Sequence, residues 1–184
     1  MGIIKTENND NFFRDVIKRC AKGDRKAQAY LFKQYYPYVM SISLRFSSCR
    51  DNALDILNES FLKIFKHIQT YESGNGFNAW VHRIVVNTAL DHYRREKKYK
   101  NEVFFTDISE EPCEESVLDR INAEDIILLI NSLPMTYRYT FTLFEIEGFT
   151  HEEIAAHLDI APSTSRSNLT RAKQMLRQMI KNRY

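Results

Sequence analysis

Thr150-His-Glu-Glu-Ile-Ala-Ala-His-Leu-Asp-Ile-Ala-Pro-Ser-Thr-Ser-Arg-Ser-Asn-Leu-Thr-Arg-Ala-Lys-Gln-Met-Leu176 spells two short helices joined by a tight turn, the second basic along one side. Thr150 is placed to cap the first helix while Glu153 reaches back to the cap amide, and Phe149 sits where a staple onto Ile154 would fix the incoming chain. Asp159 occupies the turn, where aspartate tolerates a left-handed backbone, and Pro162 is preorganised for the first position of the next helix. Such a helix-turn-helix fits the major groove of DNA.

At about 100° of rotation per residue, Ser165, Leu169, Ala172, Leu176, Met179 and Ile180 form an inward stripe on the second helix. Ser163, Arg166, Ser167, Thr170, Arg171 and Gln174 fall on the flank, offering cations to phosphates and forked donors or hydroxyls to base edges. From 163 to 184 there are six basic residues and no acidic ones, a local charge of +6 that the whole-chain +2 conceals. The plainer reading of this segment is a solvated basic helix; the capped turn ahead of it favours DNA.

The rest of the chain sets the context. Its 184 residues, 43% of them hydrophobic, suffice for one domain or two small ones with real cores. Only five glycines and four prolines punctuate it, and the apolar residues between them recur at helical spacing. No run is long enough for a membrane span and no secretion signal opens the chain, so a cytoplasmic protein is expected. Cys20, Cys49 and Cys113 are odd in number and unpaired by motif, which reads as reduced thiols.

The expected fold is all-α: two small helical domains joined by an acidic linker, the C-terminal one a helix-turn-helix. Residues 1–98 read as four amphipathic helices able to form a bundle, with Asp10, Asp24 and Asp51 each preceding a helical pattern. The fourth runs from Phe77 to Lys97, after a loop at 72–76. Residues 99–121 are the linker. From 101 to 119 they carry seven negative charges and no positive one, and some twenty residues could span on the order of 65 Å. Residues 122–184 form the second domain, with Ile127, Ile130, Leu133, Phe141, Phe144, Ile146, Ile154, Leu158 and Leu169 as its core. That is marginal for about sixty residues, so it should be the less stable half.

The fourth helix carries two faces. Phe77, Val81, Ile84, Val85 and Thr88 make a buried stripe, whereas Arg83, Asn87, Leu90 and Arg94 lie along another side. Trp80 falls at the border, as core filler or as a stacking surface for an unpaired base. Residues 82–100 have a local charge of +4. Cations beside Tyr71, Phe77, Trp80 and Tyr93 suit a separated strand better than a duplex, and a loop with two glycines can admit a flipped base.

These residues together resemble the sigma-70 family of bacterial RNA polymerase specificity subunits, in its extracytoplasmic-function (ECF) group. Asp51-Asn-Ala-Leu-Asp-Ile-Leu-Asn-Glu-Ser-Phe-Leu-Lys-Ile-Phe65 resembles the family's polymerase-gripping helix. Phe77-Asn-Ala-Trp-Val-His-Arg-Ile-Val-Val-Asn-Thr-Ala-Leu-Asp-His-Tyr-Arg-Arg95 resembles its promoter-opening helix, and Leu133 through Arg177 its carboxy-terminal domain. The resemblance implies that Asp55, Asn58, Glu59, Phe61 and Lys63 contact core polymerase. It implies that Trp80, Arg83, Asn87, His92, Arg94 and Arg95 hold the melted non-template strand of the minus-ten element. Ser163, Arg166, Ser167, Thr170, Arg171 and Lys173 would bind the minus-thirty-five duplex. An anti-sigma protein is an implied further partner; no cofactor, metal or membrane insertion is implied. Ala161 stands where the family often has a Ser or Thr cap, Ser165 where a branched apolar residue is common, and Asp159 where glycine is usual.

Two other classes compete. A helix-turn-helix regulator acting on duplex DNA without being a polymerase subunit shares residues 150–180, but needs a dimer interface or ligand pocket that the remaining sequence does not announce. A metalloenzyme is hinted at by His151 and His157, yet six residues rotate the second histidine about 120° from the first, whereas a zincin needs i, i+4 ligands. With no glycine-rich phosphate cradle and no nucleophile beside a base, no enzymatic activity is expected.

Overall fold

The structure, a computed structural model, describes residues 7–71, 76–102 and 123–183, which are helical throughout apart from the turns between helices. Residues 72–75 of the loop expected at 72–76, the linker segment 103–121 and Cys113 lie outside the described residues.

Four helices build the amino-terminal piece: α1 (Glu7–Ala21), α2 (Arg25–Phe46), α3 (Arg50–His67, continued by a 3₁₀ turn Ile68–Thr70) and α4 (Phe77–Glu102). Asp24 caps α2, its carboxylate accepting from the Lys26 and Ala27 amides at 2.9 and 3.2 Å. The other two expected starts differ. Asp10 lies inside α1, which begins at Glu7, and α3 begins at Arg50 with Cys49 at its cap position and no side-chain cap bond. Aspartate is favoured in the first turn as well as at the cap, so its position alone leaves the boundary a residue or more open. Leu31, Val39, Ile42 and Phe46 of α2 meet Ile56, Leu57 and Ile64 of α3 and Val81, Val85 and Ala89 of α4 in one apolar cluster.

The distal piece comprises α5 (Ala123–Asn131), α6 (Met135–Phe141) running into a π-helical turn (Thr142–Ile146), α7 (His151–Leu158) and α8 (Pro162–Arg183). The capping box at Thr150 and Glu153 is complete: the Glu153 amide donates to Thr150 Oγ1 at 3.2 Å and the Thr150 amide to Glu153 Oε2 at 2.8 Å. Asp159 adopts φ +53°, the left-handed turn, and Pro162 opens α8.

The distal core is not a separate one. Met135, Tyr139, Leu143, Ile154 and Leu158 belong to the same buried cluster as the four-helix bundle. The Tyr139 ring lies 5.3 Å from Phe46 and 4.8 Å from Tyr93, centroid to centroid. About sixty residues bury too little surface alone, and the bundle supplies the missing wall. Two residues expected inside are outside: Ile146 is 41% exposed and Ile180 43%. Ile146 closes the π turn, whose extra residue rotates it away from the core, and Ile180 lies in the last turn of α8, beyond the helices it packs on.

Candidate nucleic-acid interface

α4 presents Arg83 and Asn87 to solvent one turn apart. Val81, Val85 and Ala89, each fully buried, fix the opposite face and therefore the direction of this pair. Leu90, expected beside them, is only 1% exposed and belongs to the core. It sits about 20° from Arg83 and 60° from Asn87 around the helix, so register places it with them, and its neighbours in the apolar cluster cover it. Trp80 is half-buried in an aromatic cluster, 5.4 Å from Phe77 and 5.5 Å from Tyr71, with Phe13 and Tyr35 behind Phe77. It serves as packing on one side and as exposed edge on the other.

Toward the end of α4 the cations are already engaged. Glu59 on α3 accepts from Arg95 at 2.5 Å and from Lys63 at 2.9 Å, and contacts His92 Nε2 at 2.9 Å. Lys63 also bonds Asp91 at 2.9 Å, and Asp91 pairs with Arg94 at 3.2 Å. One residue expected at the polymerase surface thus holds two expected at the DNA surface. Burial by itself would raise the Glu59 pKa, but hydrogen bonds from Arg95 and Lys63, with their charges, hold it down at about 2. A depressed carboxylate stabilises the fold above its ordinary 4.5, and that contribution is lost as pH falls through the folded value near 2. Urea unfolding at pH 6 and pH 2.5 should therefore show a steeper loss for the native chain than for Glu59→Gln; equal slopes would rule this linkage out.

Among the expected polymerase contacts, Asp55 and Asn58 are exposed on α3, and Glu59 and Lys63 are partly so. Phe61 is not: it is 3% exposed, its ring 4.5 Å from Phe32. It holds the helix rather than meeting a partner. The residue missed is Leu62, 71% exposed in line with Asp55, Asn58 and Glu59. An apolar side chain left in water between polar and charged neighbours was visible in the helical register, since Leu62 falls about 160° from buried Ile64 and about 100° from Phe61.

On α8 the expected flank is outward: Ser163, Arg166, Ser167, Thr170 and Arg171 are exposed, as is Gln174, and Lys173 is partly so. Arg166 makes a loose 3.4 Å pair with Glu152 of α7, both side chains more than half exposed, an interaction of about 0–1 kcal/mol that a phosphate or base edge readily displaces. Ser167 and Thr170 return their hydroxyls to the Thr164 and Arg166 carbonyls. Lys173 pairs with Glu145 at 2.7 Å and Arg171 donates to the Tyr137 hydroxyl at 3.4 Å, which ties both to the supporting helix α6 and its π turn.

The inward serine has a partner. Ser165, fully buried, lies 2.9 Å from His151 Nδ1, and the His151 ring stacks on Phe144 at 4.4 Å. A polar bond here joins α7 to α8 where an apolar contact is usual. His151 and His157 thus serve separate contacts, His157 lying against Phe149 and 3.5 Å from Arg94. Among the described residues no group of three His, Cys, Asp or Glu is placed to hold a metal ion, and no helix is long and apolar enough to cross a membrane. Burial pushes the Cys20 thiol up to about 11, so it is a packed, unreactive group.

Comparison with known proteins agrees with this geometry. Residues 31–99 match the family description Sigma-70 region 2, and residues 123–176 match Sigma-70, region 4. The ECF RNA polymerase sigma factor SigE of Mycolicibacterium smegmatis is 32% identical over 168 residues, 87% of this chain and 65% of that relative's length. The ECF RNA polymerase sigma-E factor of Salmonella typhimurium (strain LT2) is 30% identical over 173 residues, 88% of this chain and 90% of its own. In the solved structures, the sigma factor RpoE of Bartonella quintana, crystallised with the anti-sigma factor NepR, matches 83% of this chain and 96% of its own. Its TM-score is 0.51 at 23% identity, a likeness of fold. The chain belongs to the sigma-70 family of RNA polymerase sigma factors, in its ECF group.

Proposed function

We propose that this chain binds core RNA polymerase in the cytoplasm, directs it to specific promoters and assists their melting, with no catalytic step of its own. The observation that carries the reading is the presence, on one chain, of two exposed surfaces of different kind. Arg83 and Asn87 beside half-buried Trp80 suit an unpaired strand, and the Ser163–Arg171 flank suits intact duplex. Asp55, Asn58, Leu62 and part of Glu59 form the face offered to polymerase. Residues 1–98 act on polymerase and the minus-ten strand, residues 122–184 on the minus-thirty-five duplex, and 99–121 connect them. An anti-sigma protein is the proposed negative partner.

Co-elution separates this role from that of a free-standing regulator. The chain should travel with core polymerase on gel filtration and show no specific, high-affinity binding to duplex promoter alone; the reverse pattern would support the helix-turn-helix regulator. Within the holoenzyme, Asn87→Ala should change base preference at the melted element by about 1–3 kcal/mol at the position read, scored by start-site mapping on randomised templates. An unchanged base profile would remove Asn87 from that role.

A further inference from the structure

The inward stripe of α8 carries one polar residue, and it stands where the helix passes through the reading flank. Ser165, three residues past the Pro162 that opens α8, is fully buried among the exposed Ser163, Thr164, Arg166 and Ser167. Its hydroxyl meets His151 Nδ1 at 2.9 Å, and the His151 ring stacks on Phe144 of the π turn at 4.4 Å and an interplanar angle of 20°. The backbone fixes both ends of this contact. His151 is the first residue of α7, directly after the completed capping box at Thr150, and the Ser165 amide closes the first turn of α8 on the Ala161 carbonyl at 3.0 Å. One imidazole thereby ties together the π turn, α7 and α8.

Burial on this side of α8 does not by itself bring a partner. Asn168, one turn further along and 5% exposed, leaves its amide nitrogen without a hydrogen-bond partner among the described residues. The Ser165 bond is a fit between two particular side chains.

An apolar contact and a hydrogen bond constrain a helix differently. Burial of apolar surface is non-directional, so a helix held only that way can roll a little at small cost. A hydrogen bond weakens steeply away from about 2.9 Å and a straight angle, and a buried hydroxyl that loses it is left unpaired. Arg166 follows Ser165 directly, so a roll of α8 that stretched this bond would carry the Arg166 guanidinium, farther from the helix axis, through a larger arc. Forked donors read base edges only when held to within about 0.5 Å.

We infer that His151 and Ser165 are a positioning pair for promoter recognition: their bond sets the roll of α8 in the major groove and so selects which bases the Ser163–Arg171 flank prefers. Neither side chain touches DNA in this role. The role rests on the proposed function, in which that flank reads the upstream duplex.

The test is made in the holoenzyme, at saturating core polymerase and fixed salt, by selecting bound promoters whose upstream element is randomised; thermal melting of each free variant accompanies it. His151→Leu leaves the Ser165 hydroxyl unpaired and Ser165→Val leaves His151 Nδ1 unpaired. Each should lower the melting temperature and shift base preference at one or more upstream positions by about fivefold. Combined, the two substitutions replace a polar pair by an apolar one. The double variant should regain much of the lost melting temperature yet keep an altered base preference, because a non-directional contact does not restore the roll. A pair that served only the fold would regain both. His151→Asn, whose amide reaches the place of Nδ1, should keep the native preference, whereas His151→Gln, whose amide lies farther out, should not. Native preference in the double variant, or identical preferences in the Asn and Gln variants, would overturn the pair's role. If circular dichroism shows the double variant unfolded, the Asn and Gln variants carry the comparison. Native upstream selection by Arg166→Ala would instead defeat the reading surface itself, and the pair's role with it.

Discussion

Arg166→Ala is expected to weaken binding to the upstream promoter element by about 1–3 kcal/mol, roughly 5-fold to 150-fold, with thermal stability and polymerase binding retained. The side chain stands out from α8, is more than half exposed, and gives up only a loose 3.4 Å pair with Glu152. Nothing in the core depends on it, so the substitution isolates recognition. The helix that carries it is held by the buried Ser165 contact to His151 and by Leu169 and Ala172 on the inward stripe. A holoenzyme with Arg166→Ala that keeps native affinity for a consensus upstream duplex, in a fluorescence titration at fixed salt, would move the reading surface elsewhere. Salt must be held constant because phosphate contacts scale with it.

Leu62→Asp should cost at least about 2 kcal/mol of polymerase affinity, some thirtyfold or more, and almost nothing in fold stability. An apolar side chain 71% exposed on a helix contributes little to its own domain. It also stands among Asp55, Asn58 and Glu59, where an aspartate adds like charge to a surface that must lose water on docking. Competition for core polymerase against a labelled specificity subunit measures it. Native competition by a folded Leu62→Asp protein would exclude α3 from the contact as drawn.

The helix-turn-helix was legible because its signals are local. A capping box, a left-handed aspartate and a proline at a helix start act within a few residues, and all three stand where the sequence places them. The buried stripes of α3 and α4 were legible for the same reason, through a 3.6-residue period. What the sequence did not disclose is tertiary. The outward direction of Leu62 is readable in the helical register, but the uptake of Phe61 into the core depends on where Phe32 lies. Leu90 reads as surface until the rest of the apolar cluster is packed around α4. Arg138, His82 and Glu147 look like ordinary surface charges, yet Arg138 and Glu147 are 3% exposed and join the two pieces. No periodicity marks a residue that caps a helix ninety positions away.

In the proposed division of labour, one end of the chain grips polymerase and an unpaired strand while the other grips duplex. Transcription in vitro tests this most directly, with core polymerase free of other specificity subunits, a genomic template library and mapping of every start site. Addition of this protein should create a new set of starts sharing two upstream elements, with Arg166→Ala eroding the distal one and Asn87→Ala altering the proximal one. Initiation at the same sites and rates with and without the protein would contradict the account.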